Sequence, residues 1–176
     1  MVKIVECIPN ISEGRRLDVV EEILDEVRQV AGVTLLDYSS NADHNRTVIS
    51  LIGEPERVLE AVWKLIVKAS ETIDLDQHQG EHPRMGATDV VPFVPIRGMT
   101  MEECVDLANV LGERVGRELA IPVYLYEKAA TRPERRNLAE VRRGQYEGLK
   151  ESIMTPARTP DYGPSVLGKA GAIAIG

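Results

Sequence analysis

Apolar positions recur along this chain with two periods. Leu17, Val20, Ile23, Leu24, Val27 and Val30 fall at helical spacing. So do Val58, Leu59, Val62, Leu65, Ile66, Ala69 and Ile73, and again Cys104, Val105, Ala108, Leu111, Val115 and Leu119. Each stripe predicts an amphipathic helix with one buried face. Pro55 suits the first turn of the second helix. Thr100 with Glu103 three residues on has the spacing of a capping box before the third. Short apolar runs bounded by breakers predict strands at Val2–Ile8, Val33–Asp37, Thr47–Ile52, Val90–Ile96 and Pro122–Tyr126. Pro92 and Pro95 direct the fourth run to a sheet edge or a bulge, because proline cannot donate to a central ladder. The order β-α-β-β-α-β-α-β predicts an α/β (α+β) fold, a ferredoxin-like sandwich with one added unit.

Elsewhere the pattern loosens. Ser39–Asn45 predicts a polar loop, Arg132–Arg143 a short solvated helix, and residues 152–164, with Pro156, Pro160 and Pro164, a further loop. The small apolar run Ala170–Gly176 has the look of a strand cut short.

The 176 residues suffice for one well-buried domain, and 1–176 is expected to be a single unit without internal repeats. Aromatics make up 4%, so the core must be mostly aliphatic. A formal net charge of -7 argues against a nucleic-acid partner, which calls for a basic footprint. Cys7 and Cys104 show no metal-ligand spacing and are expected to be free thiols in a reducing compartment. The start of the chain lacks the apolar core of a signal peptide, and no run is long enough to span a bilayer. The expectation is a cytoplasmic protein with no membrane partner.

The densest chemistry lies in Gly80-Glu81-His82-Pro83-Arg84-Met85-Gly86, set between the second helical stripe and the proline-interrupted strand. An imidazole on a loop between regular elements is well placed for proton transfer, and Glu81 or Asp37 can orient its ring. Arg84 and Arg46 can clamp carboxylates through bidentate hydrogen bonds. Asn10 and Asn45, at a strand end and a loop end, can bind polar ligand groups. The plainer alternatives are turn residues for Asp37, Asn10 and Asn45, and surface charges for the arginines. His78 and His82 lie four apart, but Gly80 and Pro83 break the helix a metal pair would need, so no metal is expected.

The run GEHPRMGATDVVPFVPIRG from Gly80 to Gly98 resembles the signature of the glutamate formiminotransferase (formimidoyltransferase) family, specifically its N-terminal subdomain. Further matches are Glu6–Gly14, Leu35–Asp37, His44–Val48, Pro122–Tyr126, Arg142–Glu147 and Pro160–Ser165. The resemblance implies a mixed sheet with helices packed on one face. It also implies a C-terminal subdomain that this chain does not contain, with folate held between the two. It implies transfer of the formimino group of N-formiminoglutamate to N5 of tetrahydrofolate, a cosubstrate, releasing glutamate in histidine degradation and one-carbon metabolism. By motif the family's catalytic histidine falls on His82, as general base and then acid. The stretch Gly163, Pro164, Ser165, Val166, Leu167, Gly168, Lys169, Ala170 and Gly171 resembles the family's folate-contacting segment; without the family it is a Gly-rich linker. Homodimerisation is expected on the same grounds. Two readings compete: a binding or dimerisation half that turns over only when completed, and a folate-independent hydrolase acting through His82.

Overall fold

The computed structural model describes residues 2–176. Its strands are β1 (Ile4–Cys7), β2 (Asn10–Ile11), β3 (Val33–Asn41), β4 (Arg46–Gly53), β5 (Thr88–Val91), β6 (Phe93–Arg97), β7 (Val123–Leu125) and β8 (Ile173–Ile175). The helices are α1 (Leu17–Arg28), α2 (Pro55–Thr72), α3 (Met101–Leu119), α4 (Leu138–Val141) and α5 (Gln145–Ser152), with 3-10 turns at 127–129, 133–136 and 156–158. One mixed sheet runs β6-β1-β4-β2-β5-β8-β7, and β3 pairs with β4.

The helical stripes form helices for the expected reason. Val20, Ile23, Leu24 and Val27 of α1, and Val58, Val62, Leu65 and Ile66 of α2, are buried against the sheet. Each such side chain contributes about 1.5–3 kcal/mol of burial. Leu17, counted in the first stripe, faces solvent at 57% exposure. Thr100 accepts from the Glu103 amide at 3.1 Å, and the Glu103 carboxylate accepts from the Thr100 amide, closing the capping box of α3. Gly112 and Gly116 on α3 leave room for the chain at Tyr162 and Gly163, since a Cβ at Gly116 would lie 2.5 Å from the Gly163 nitrogen.

Prolines shape the sheet. The run expected as one strand over Val90–Ile96 is two, split at Pro92, and β6 with Pro95 is the outermost strand on its side. Asn10 and Ile11, beyond the expected end of the first strand at Ile8, form a strand of their own. They continue the line of β1 past Pro9, bridging β4 to β5. β3 extends to Asn41, well into the expected Ser39–Asn45 loop, because each residue from Ser39 to Asn41 finds a partner on β4. The C-terminal apolar run forms β8, parallel to both β5 and β7 and lying between them.

The three long helices lie on one face of the sheet, with Cys7, Ile11, Ile49, Leu51 and Ile173 in their core. The opposite face is divided. Over β5, β8 and β7, the short helices α4 and α5 bring Val141 and Leu149 onto Val90, Tyr124 and Ala174 in a second apolar cluster. Over β4 and β6 it stays open, with Val48, Val94 and Ile96 exposed. The segment 132–143, expected as one solvated helix, is a 3-10 turn and the short α4, largely exposed but with Arg135 and Val141 buried, and Arg135 is bonded to Asp161 and stacked on Tyr124.

Candidate active site

The loop from His78 to Gly86 joins α2 to β5 and is held from three sides. His78 is buried. Its Nδ1 accepts from Arg84 Nε at 2.9 Å, so its Nε2 carries the proton donated to the Asn45 carbonyl at 2.9 Å. Gly80 lies against the β3–β4 turn so closely that a Cβ would meet the His44 carbonyl oxygen at 2.3 Å. The Glu81 amide donates to the Asp43 carbonyl. Arg84 makes a bidentate pair with Glu147 of α5, both bonds 2.8 Å, and also reaches Gln145 and the His78 carbonyl. Asn45, at a φ of 52°, receives the Gly14 amide and donates to Gln79. Arg84 and Asn45, expected to bind substrate, are thus engaged in fixing the loop.

His82 is half-buried at the rim of this loop. Its Nδ1 lies 2.7 Å from the Pro83 carbonyl. A carbonyl only accepts, so Nδ1 bears the hydrogen and Nε2 keeps a free lone pair. The ring of His44 stands 5.5 Å away, tilted by 58°. Burial pulls the His82 imidazole below its ordinary pKa. The Arg46 and Arg142 charges act in the same direction, and the Pro83 carbonyl and Asp89 oppose them. Burial also lowers His78, with Arg84 adding to it against the Asn45 carbonyl.

Beside His82 sits a charge cluster that sequence reasoning only half found. Asp89 is fully buried. One carboxylate oxygen accepts the Met85 amide at 2.7 Å; the other accepts Arg46 Nη1 at 2.9 Å and Arg142 Nη1 at 3.1 Å. The register explains the aim. Thr88 pairs with Ile11 and Val90 with Asn10, so Asp89 is the extra residue of a β-bulge. Asn10 accepts from Arg46 Nε at 3.1 Å and itself donates to the Ile8 carbonyl, which orients that arginine. Arg142 Nη1 also donates to the Pro83 carbonyl at 3.3 Å, the acceptor that fixes His82. The signal for Asp89 was a carboxylate inside the apolar strand Thr88–Val91; for Arg142 it was its place at the head of the Arg142–Glu147 match to the family, since its own neighbourhood reads as a charged run.

Asp37 is exposed on β3. Leu36 is the extra residue of a second bulge, and that brings Asp37 opposite Ser50 on the open face, which Asn10 and Arg46 share. Neither Asp37 nor Glu81 touches an imidazole nitrogen; the orienting acceptor is the Pro83 carbonyl.

The stretch 163–171 flanks the loop on its β8 side, where Gly86 bridges to Gly171 and the Ala170 carbonyl accepts the Ala87 amide. Gly163 and Gly171, at φ 84° and 70°, pack on the Ile121 and Met85 carbonyls. A Cβ at Gly168 would meet nothing within 4 Å, although its carbonyl accepts from Gly171 and Tyr146, and Val166 is 65% exposed. A cleft of about 280 Å³ opens beside Pro83, lined by Ala139, Arg142 and Arg143. Another of about 370 Å³ shares Asn45 and His78 with the loop, along with Ser12, Glu13 and Asp74. His82 lines neither.

Residues 4–176 match the family described as the formiminotransferase domain, N-terminal subdomain. The chain belongs to this family. The family's curated relatives include a glutamate formimidoyltransferase of Streptococcus pyogenes serotype M1, 52% identical over 100% of this chain and 59% of its own length. A glutamate formimidoyltransferase of Thermoplasma acidophilum is 51% identical over 99% of this chain and 58% of its own. The formimidoyltransferase-cyclodeaminase of Gallus gallus is 48% identical over 93% of this chain and 30% of its own. The chain therefore spans about three fifths of the first two relatives and less than a third of the bifunctional one. No described helix is long and apolar enough to cross a membrane.

Proposed function

We propose that this chain carries the proton-transfer centre of a glutamate formimidoyltransferase. The enzyme moves the formimino group of N-formiminoglutamate to N5 of tetrahydrofolate and releases glutamate. The carrying observation is the His82 ring, whose Nδ1–H is committed to the Pro83 carbonyl and whose Nε2 is free. In the reaction the N5 amine attacks the formimino carbon and a tetrahedral adduct forms. His82 Nε2 takes the N5 proton, then delivers it to the glutamate nitrogen as the carbon–nitrogen bond to glutamate breaks. A lowered pKa keeps the imidazole in its basic form at neutral pH.

Folate enters this reading as a cosubstrate approaching along 163–171, where the open backbone at Gly168 and the exposed Lys169 suit a flat ring and a glutamyl carboxylate. A homodimer and a completing C-terminal subdomain belong to the same reading, as does a reducing, cytoplasmic setting for the two free thiols. The second reading, a ligand-binding half that needs further residues for turnover, draws on the chain's share of its relatives' length. One assay separates them: formimino transfer by this chain and by the full-length enzyme, each beside His82→Ala. Turnover by the full-length enzyme that is lost in His82→Ala supports the assignment. Undiminished turnover in that variant refutes it, and glutamate release without tetrahydrofolate points to a hydrolase.

A further inference from the structure

Arg46 and Arg142 face His82 with their work half done. Arg46 spends Nε on Asn10 and Nη1 on Asp89, while Arg142 spends only Nη1, on Asp89 and Pro83. Arg46 Nη2 and both Nε and Nη2 of Arg142 meet no protein acceptor among the described residues, and none of these atoms is sealed from solvent. Arg84, the other arginine of the loop, has its donors consumed by His78, Gln145 and Glu147.

We propose that Arg46 and Arg142, yoked by the buried Asp89 carboxylate, form a carboxylate-binding subsite for the glutamyl part of the formimino donor, with Arg142 as its specificity-determining residue. This rests on the function proposed above. Two guanidinium charges against one carboxylate leave a single net positive charge beside a neutral imidazole, in a chain whose net charge is -7. That balance fits one carboxylate. A phosphate ester, with close to two charges, would be left undercompensated. Asp89 holds both arginines from behind, at 0% exposure, so their outer N–H groups are preorganised before the ligand arrives. The Pro83 carbonyl receives both Arg142 and the His82 Nδ1–H, so a carboxylate docked on Arg142 sits one shared acceptor away from the reacting imidazole.

The test uses the full-length enzyme with Arg142→Gln, Arg142→Lys and, as a control that removes one positive charge outside the subsite, Lys150→Gln, whose ammonium on α5 pairs with Asp76. Glutarate serves as the carboxylate probe. Arg142→Gln is expected to raise KM for formiminoglutamate and Ki for glutarate about 10- to 100-fold, the loss of one or two charge-assisted bonds. kcat and KM for tetrahydrofolate should change less than about 3-fold. Arg142→Lys should recover part of the loss by restoring charge without the fork, and Lys150→Gln should match wild type. Unchanged glutarate inhibition in folded Arg142→Gln overturns the subsite, as does an effect confined to tetrahydrofolate. A wild-type enzyme with no transfer activity would sink the function but not the subsite. Glutarate titration followed on the His82 ring by NMR then decides: shifts in wild type that vanish in Arg142→Gln support it, and their absence in wild type refutes it.

Discussion

Replacing Asp89 with asparagine tests the charge cluster without changing its volume. The carboxylate is wholly buried and receives Met85, Arg46 and Arg142. Asparagine can keep the Met85 bond through its oxygen, but its amide then turns N–H groups toward two guanidinium groups that need acceptors. Removing one partner of a buried pair costs about 3–5 kcal/mol. Here the arginine side chains keep 9% and 16% exposure, and their outer nitrogens reach water, so the loss falls to about 2–4 kcal/mol. For a chain of this length that is a fall in Tm of about 4–16 °C. Circular dichroism melts at pH 7, with urea titration alongside, measure it. Salt supplies the control, because a buried pair is weakly screened and the difference should persist from 0.1 to 0.5 M NaCl. A fall below about 2 °C, or one abolished by salt, would show that Asp89 is solvated and holds nothing in place.

Other outcomes follow from the same geometry. Arg142→Gln removes a charge that depresses His82. The acid limb of kcat/KM and the NMR titration of the His82 ring should therefore both move to higher pH, with Arg46, Asp89 and His44 still around the ring; no movement would remove Arg142 from its surroundings. His78 has a lowered pKa in the native state, so the unfolded chain binds its proton first as pH falls, and stability rises with pH up to the ordinary histidine value near 6.5. Urea titrations between pH 5 and 7 should show that slope, and His78→Gln should reduce it to the part that the lowered His82 contributes with the same sign. Glu13 is pushed up by burial but pulled down further by the Arg16 and Arg15 amides and the Arg16 guanidinium. Its stabilisation is present above the ordinary glutamate value and lost as pH falls through its lowered one. Glu13→Gln should cost about 1 kcal/mol at pH 7 and progressively less as pH falls below the ordinary glutamate value, read by the same titration. Gly86→Ala would place a methyl 1.9 Å from the Ala172 carbonyl oxygen; it should part β5 from β8 and abolish the cooperative melt, and a native-like Tm would contradict the close approach.

The three long helices were legible because their burial is one-sided, as the stripe of α2 shows, and Thr100 with Glu103 announced the start of α3 through purely local chemistry. Pro92 and Pro95 together signalled an edge or a bulge, since a missing amide is a local fact, but the break into two strands at Pro92 was not read from them. What escaped notice depended on distant partners. Arg135 has the sequence look of a solvated charge, and only Asp161 and Tyr124, brought from elsewhere, make it internal. Asp37 and Asp89 owe their aims to single-residue bulges, which shift register without any mark of their own. Within the candidate site, His82, Asn10 and Arg46 were visible and do come together. Arg84 and Asn45 were given ligand-binding roles on the strength of residue type, whereas their partners are Glu147, His78, Gly14 and Gln79.

The place of β8 between β5 and β7 sets the order in which the molecule can be completed. Val91 hydrogen-bonds in a ladder whose other half includes Ile175, and β7 reaches the rest of the sheet only across β8. During synthesis at 5–20 residues per second, the flank of β5 stays unpaired for about 4–17 s after it leaves the ribosome. Throughout that interval the histidine loop lacks its Gly171 and Ala172 neighbours, so the site is among the last parts of the chain to take shape. Nascent chains stalled before residue 170 should be captured by chaperones and cut by protease within the 78–91 segment, and those stalled with residue 176 clear of the exit tunnel should not.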